Sequence, residues 1–444
     1  MSKPLKVLIN AQLIRGRQSP GVNQFLAALV HALGRLSDSD EQYVLITDPQ
    51  NPDWVKSHLG PNQTSVVGPR RKLGRTEPAR GLMGPLGPPA RKLWRMTRRL
   101  LSPGSRQYGP AVPESDGFFE SLDGDVIHFP FQRFTRCRVP AVYNPHDLQH
   151  LHYPQFYSSK TIRWRETVYR AGCHQAQAVV AESDAVKHDL MKQYGLDSQK
   201  ILVIRRGSPT EFYGEVRKED LRKIRDKFGL PERFAFYPAR ARPNKNHARL
   251  LEAVSLVRDR CGVSLNLVCT GTRTELWSSL KGQIKKLKLG RQVSFLGYVS
   301  SAELRALYHL AQFLVFPSFF EGGGFPVVEG MYEGLPVACS EIPPLLEYGG
   351  DAVLVFDPHS VESMAAGLLR ISQDDALRAE LRERGSRRVR IFTWERAAKG
   401  YRALYRKVAG FPLSEEDMVL LASDRVPPEP ARSGAATSPI ETQE

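Results

Sequence analysis

The chain has 444 residues, 41 % of them hydrophobic and 25 % charged, which suits a globular protein of two or three domains at roughly 100–200 residues each. Its formal net charge of +16 attracts anionic partners such as a nucleotide, a nucleic acid or a membrane surface. Five scattered cysteines (Cys137, Cys173, Cys261, Cys269, Cys339) with no C-x-x-C pair argue against a disulfide framework and for reduced thiols in the cytoplasm; no apolar run reaches the ~18 residues of a membrane span, so membrane contact is expected to be peripheral only.

In chain order, Lys6 to Asn10 reads as a strand, Arg15 to Gly21 as a loop, and Phe25 to Leu36 as an amphipathic helix with Leu26, Leu29, Val30 and Leu33 on one face. Tyr43 to Thr47 is the next strand, which completes a βαβ start. Residues 68–107 then break the pattern with eleven Lys/Arg against one acid, Glu77. Within 91–101, Leu93, Trp94, Met96 and Leu100 line one helical face and Arg91, Lys92, Arg95, Arg98 and Arg99 fall largely opposite. That pattern fits a helix on an anionic membrane surface as well as it fits a solvated basic loop.

Strands follow at Val126–Phe129, Ala141–Asn144, Val179–Ala181 and Ile201–Ile204, with Ser183 or Asp184 as N-cap of a helix running to Tyr194. A second alternating set starts near Phe234, with strands at Phe234–Tyr237, Leu265–Thr270, Val293–Phe295, Phe313–Phe316, Val337–Ser340 and Val353–Phe356. Alternating βα units predict parallel sheets covered by helices. Two such halves, joined near Ser208–Arg217, enclose a cleft at the carboxyl ends of the strands, where ligands bind. Residues from about 413 onward are polar and expected to be a disordered tail.

The stretch from Phe313 to Ser340, FLVFPSFFEGGGFPVVEGMYEGLPVACS, carries the chemistry. It reads as strand, glycine loop, helix, strand. Gly322, Gly323 and Gly324 allow close backbone approach to a ligand. Pro326 fits the first helical turn and Gly334 the helix end, and the helix N-terminus suits a phosphate. Glu321 and Glu329 flank this site, and a carboxylate can accept two hydrogen bonds from a vicinal diol.

This segment resembles the E-x7-E signature of glycosyltransferase family 4, retaining enzymes of the GT-B fold, and the resemblance extends over most of residues 5–410. It implies an α/β architecture of two Rossmann-like domains facing each other across a cleft. Residues 1–207 would be the acceptor domain, 208–395 the nucleotide-sugar domain, 396–412 a helix crossing back to the first domain, and 413–444 the tail. By the same resemblance Glu321 contacts the donor sugar, Glu329 the nucleotide ribose, and the backbone of Gly322, Gly323, Gly324 and Phe325 the sugar and phosphate oxygens. Gly323 stands where the pattern has an aromatic residue, which predicts a more flexible loop. In Tyr237-Pro-Ala-Arg-Ala-Arg-Pro-Asn-Lys-Asn246, Arg240 and Lys245 match the cations that neutralise the diphosphate, with Arg242 an alternative to Arg240. His146 matches a histidine near the reacting carbon, Gly21 a first-domain loop near the donor phosphates, Gly271 a strand-end loop facing the nucleotide, and Tyr298 an element contacting the base. Arg206 replaces the usual asparagine before Gly207.

The reaction implied is transfer of a hexosyl group, mannose from GDP-mannose foremost, to a glycan or lipid-linked acceptor with retention, without metal or other cofactor. The partners expected are a nucleotide-sugar donor, that acceptor and an anionic membrane surface through residues 68–107. Nucleic acid is not expected, because neither an aromatic-interleaved basic sheet nor a recognition helix is present. A catalytically silent sugar-nucleotide binder and a sugar-nucleotide epimerase of the same fold are the competing readings.

Overall fold

The computed structural model describes residues 3–12, 20–36, 40–69 and 111–422. Nearly all of the basic segment 68–107, including the expected amphipathic helix at 91–101, lies outside them, as does the tail from 423. Among the described residues, no helix is long and apolar enough to cross a membrane.

Two wholly parallel sheets form. The first contains β1 (Lys6–Ala11), β2 (Gln42–Thr47), β3 (Gln63–Val67), β4 (Val126–Phe129), β5 (Ala141–Tyr143), β6 (Ala178–Ala181) and β7 (Ile201–Val203), in the order β3-β2-β1-β4-β5-β6-β7. The second contains β8 (Ala235–Pro238), β9 (Leu267–Thr270), β10 (Val293–Phe295), β11 (Phe313–Phe316), β12 (Val337–Ser340) and β13 (Val353–Phe356), in the order β10-β9-β8-β11-β12-β13. The helices longer than one turn are α1 (Pro20–Leu33), α2 (Ser159–Gln175), α3 (Asp184–Tyr194), α4 (Lys218–Phe228), α5 (His247–Cys261), α6 (Trp277–Lys286), α7 (Ser301–Leu310), α8 (Phe325–Tyr332), α9 (Pro343–Gly349), α10 (Val361–Gln373), α11 (Asp375–Arg388), α12 (Trp394–Ala409) and α13 (Glu415–Ala422). The inner strands are short runs rich in Val, Ile, Leu and Phe, buried on both faces, as parallel sheets require.

Three details differ from the sequence expectations. Helix α1 spans Pro20–Leu33 rather than Phe25–Leu36, so Gly21, Val22 and Asn23 belong to its first turn and not to a loop. Just past its end, a Cβ on Gly34 would lie 2.9 Å from the backbone of Gly60; only glycine permits that approach. Strand β3 was not legible, because as an edge strand it is mostly half-exposed and lacks a strong apolar signal. Residues 415–422 form helix α13 instead of a disordered tail. Its first turn is acidic (Glu415, Glu416, Asp417) and meets the basic end of α12: Arg406 Nη1 lies 2.8 Å from Asp417 Oδ2, and Lys399 Nζ 3.0 Å from Glu416 Oε1.

Helix α12 belongs to the first domain in space although it ends the second in sequence. Trp394, Ala397, Ala398, Tyr401, Leu404 and Tyr405 share a core with β1, α1 and β2. Asn144 Nδ2 donates to the Tyr401 hydroxyl at 2.8 Å, and the Tyr405 hydroxyl lies 2.8 Å from His128 Nδ1. Trp394 is fully buried, so Trp394→Ala is expected to destabilise the protein by about 3–5 kcal/mol, seen as a lower denaturation midpoint in urea.

Polar contacts hold the domains together beside the cleft. Ser183 caps α3, accepting from Val186 N at 3.2 Å, while its own hydroxyl donates to the Gly322 carbonyl at 2.8 Å. The Glu347 carboxylate of the second domain accepts from Asp184 N at 2.8 Å and from Arg205 Nε at 2.8 Å. One helix start in the first domain is thereby satisfied partly by the second.

Candidate active site

The glycine loop lies between β11 and α8, at the carboxyl edge of the second sheet. None of Gly322, Gly323 and Gly324 has a left-handed backbone. Their role is room. A Cβ on Gly322 would lie 2.3 Å from the His146 carbonyl oxygen, one on Gly323 2.8 Å from Glu182 Oε2, and one on Gly324 3.2 Å from Tyr348 Cβ. The missing aromatic at position 323 therefore leaves room for a first-domain carboxylate. Pro326 occupies the first turn of α8, and Gly334 ends it in the left-handed conformation, with Leu335 N donating to the Gly330 carbonyl at 2.8 Å.

Glu321 and Glu329 differ in environment. Glu321 Oε1 is 2.5 Å from Lys245 Nζ, in a charge-assisted contact. Lys245 is carried on a tight turn, Pro243–Lys245, and its ammonium lies 4.9 Å from the centre of the Phe316 ring. Its carbonyl accepts from the Tyr237 hydroxyl, and the next residue, Asn246, has φ +56° and donates to the Pro358 carbonyl at 2.8 Å. The cation is thus held by backbone geometry.

Glu329 is only 5 % exposed and accepts a hydrogen bond from the Tyr308 hydroxyl. Burial pushes its carboxyl up to about 7; the Tyr308 bond opposes this and the Glu333 charge adds to it. The folded-state value lies above the unfolded one, so this group costs stability once the unfolded chain ionises and the folded chain does not. The cost, on the order of 3 kcal/mol, grows between about pH 4.5 and 7 and is fully present above 7. Glu329→Gln is therefore expected to melt higher than wild type at pH 8, with the gain vanishing near pH 4.5, in a pH series of thermal denaturation.

The other expected residues spread around this centre. Arg240 follows β8, and a Cβ on Gly271, which has φ +117°, would lie 2.8 Å from the Arg240 backbone nitrogen. Gly271 N in turn donates to the Gly297 carbonyl at 2.8 Å. Arg240, Gly271 and Tyr298 thus follow the carboxyl ends of three neighbouring strands, β8, β9 and β10, and the Tyr298 side chain is 56 % exposed. Gly21 lies in the first turn of α1, and a Cβ there would meet nothing within 4 Å. One turn further along α1, Gln24 Nε2 donates to the Tyr213 hydroxyl at 2.9 Å, and that hydroxyl is raised first by burial and then by the nearby Glu329 charge.

His146 reaches the glycine loop through its carbonyl, in a backbone with φ +68°. Its ring points into the first domain: Nε2 lies 2.9 Å from the Pro130 carbonyl and Nδ1 contacts Glu182. Burial first, then Arg206, lowers its imidazole to about 3. Glu182 also pairs with Arg206, whose guanidinium lies 4.6 Å from the Phe25 ring centre and 4.2 Å from that of Phe325. Glu182, Ser183, Tyr213 and Tyr308 were not singled out as site residues. Glu182 could have been noticed as a charge directly after the β6 strand, whereas Tyr308 gives no local signal. Among the described residues, no three His, Cys, Asp or Glu side chains are grouped to hold a metal ion.

Residues 21–212 match Glycosyltransferase Family 4, and residues 220–388 match Glycosyl transferases group 1. The chain belongs to these glycosyltransferases. It is 28 % identical over 275 residues to O-antigen chain mannosyltransferase B of Escherichia coli, covering 61 % of this chain and 71 % of that protein. It is 29 % identical over 243 residues to O-antigen chain mannosyltransferase RfbU of Salmonella typhimurium, covering 54 % and 64 %. Among solved structures it is similar to sucrose-phosphate synthase of Thermosynechococcus elongatus, with TM-score 0.65 and 20 % identity over 92 % of this chain and all of that one. It also resembles WaaG, a glycosyltransferase involved in lipopolysaccharide biosynthesis, with TM-score 0.60 and 14 % identity over 91 % of this chain and all of that one. These structural likenesses give the fold, GT-B: two parallel-sheet Rossmann-like domains. The candidate site lies where α8 and its glycine loop meet the loops that follow β5 and β6.

Proposed function

We propose that this glycosyltransferase moves a hexosyl group from a nucleotide sugar, GDP-mannose foremost, to a glycan or lipid-linked acceptor with retention of configuration. The observation that carries the reading is the Lys245–Glu321 pair at 2.5 Å beside the glycine loop, a cation and a sugar-binding carboxylate at one point. The mannosyltransferase names of its relatives support the choice of sugar.

In this reading Glu329 accepts the ribose hydroxyls and Glu321 those of the donor sugar. Tyr298 and Gly271 border the nucleoside, and Gly21, in the first turn of α1, approaches the donor phosphates. Arg240, Lys245 and the N-terminus of α8 hold the diphosphate. The bond from the anomeric carbon to the β-phosphate oxygen breaks with its electron pair going to the diphosphate. The acceptor oxygen bonds to the same face of that carbon and passes its proton to the departing phosphate oxygen. The cations stabilise the leaving group without a metal, and His146 borders the reacting carbon. Glu182 holds the His146 ring, and Arg206 balances the charge of Glu182.

The test is incubation with GDP-mannose and a mannosylated acceptor in excess EDTA, with the product followed by proton NMR. An α-linked product from the α-linked donor supports the reading. A β-linked product, or no transfer and no donor hydrolysis with any nucleotide sugar, overturns it.

A further inference from the structure

Behind the turn that presents Lys245, a second cavity of about 440 Å³ opens between the domains. The two sites share a wall: Phe319 N donates to the Asn244 carbonyl at 2.9 Å, which ties the turn Pro243–Lys245 to the segment leading into Glu321. Along one side runs an aromatic stack that crosses the domain boundary. Phe156 lies on Tyr153 (5.2 Å, 12°), Tyr153 on Phe319 (6.2 Å, 25°), and Phe319 on His359 (5.0 Å, 26°). Tyr153 also donates to the Phe319 carbonyl at 3.3 Å.

The charge of the lining has one sign. Arg242 and Arg249 line the cavity and no Asp or Glu does; the Arg249 guanidinium lies 5.1 Å from the Phe319 ring centre. The first turn of α5 forms part of the wall, without an acidic residue or a side-chain cap, so its partial positive charge is directed at the cavity. His247, the first residue of that helix, lines the cavity at 4 % exposure, its ring tilted against Tyr237 at 4.6 Å and stacked on Phe295 at 5.9 Å.

We infer that this cavity binds a phosphate carried on a sugar, as the anchoring end of the acceptor. The phosphate faces Arg242, Arg249 and the start of α5, and the sugar ring lies along the edges of the aromatic stack. The inference rests on the transferase reading for its role and deepens it: the acceptor is a phosphorylated saccharide, held one wall away from the Lys245–Glu321 pair. The phosphate belongs either to a free sugar phosphate or to the diphosphate of a lipid-linked chain.

Calorimetry on the full chain tests this with mannose 1-phosphate, inorganic phosphate and farnesyl diphosphate as probes. Binding is expected to weaken at least about tenfold in Arg249→Gln and in Arg242→Gln, as for loss of one charge-assisted contact, and to persist in Lys245→Ala. Tighter binding of mannose 1-phosphate assigns a free sugar phosphate, and tighter binding of farnesyl diphosphate a lipid-linked one. Unchanged melting temperatures of the arginine variants tie the loss to the pocket. No binding of any probe to wild type, or binding that is lost in Lys245→Ala and kept in both arginine variants, overturns the inference. Nucleoside diphosphates titrated into the same samples keep the two readings apart: their failure to bind, with the cavity still occupied by a probe, overturns the donor site and not the cavity.

Discussion

Lys245→Ala is expected to lower kcat by roughly 10²–10³-fold, as for loss of one preorganised group that stabilises developing charge. Lys245 is the cation that the structure fixes most firmly beside the glycine loop. Its turn is tied down through Tyr237, Asn246 and Asn244, and its ammonium is already aimed at Glu321. Such a charge needs little rearrangement when the diphosphate leaves. Both side chains of the pair are partly solvated, so the melting temperature should move little. Steady-state kinetics with a melting curve on the same sample separates the effects: a large fall in kcat at near-constant stability is the expected result, and wild-type turnover removes Lys245 from the site.

Gly322→Ala is expected to reduce activity by about 10²-fold or more, in line with a displacement of about 1 Å at a reacting centre. The new Cβ would lie 2.3 Å from the His146 carbonyl oxygen. That neighbour is backbone, so the side chain cannot be relieved by a rotamer change. The glycine loop and the β5 loop must separate, which also strains the Ser183–Gly322 hydrogen bond joining the domains. The loss should appear in both kcat and KM, because donor contacts and acceptor alignment move together. Near-wild-type kinetics in this variant would show that the contact between Gly322 and His146 plays no part in catalysis.

The alternation of strand and helix, and most strand positions, were readable because each buried parallel strand is a short apolar run bounded by polar loops. The second domain was the clearest, since Phe313 to Ser340 contains strand, glycine loop, helix stop and strand without interruption. What could not be read depends on contacts distant in sequence. The need for glycine at position 34 comes from Gly60 packed against it. Helix α13 exists because its acidic first turn meets Arg406 and Lys399. The elevated carboxyl of Glu329 depends on burial, opposed by a hydrogen bond from Tyr308, twenty-one residues away. Position 323 shows the same limit: its missing side chain leaves space for Glu182, which no local pattern could show. Arg206 was visible only as a departure from the family pattern; its place between Phe25 and Phe325 required the fold.

The central claim is that the second-domain loops form a nucleotide-sugar site with Glu329 on the ribose. A thermal-shift screen at pH 8 tests it most directly, with GDP-, UDP-, ADP- and dTDP-sugars against wild type and Glu329→Ala. The account predicts that one nucleotide series raises the melting temperature of the wild type and that the shift is lost in the variant. An equal shift in the variant, or no shift with any of the four series, would contradict it.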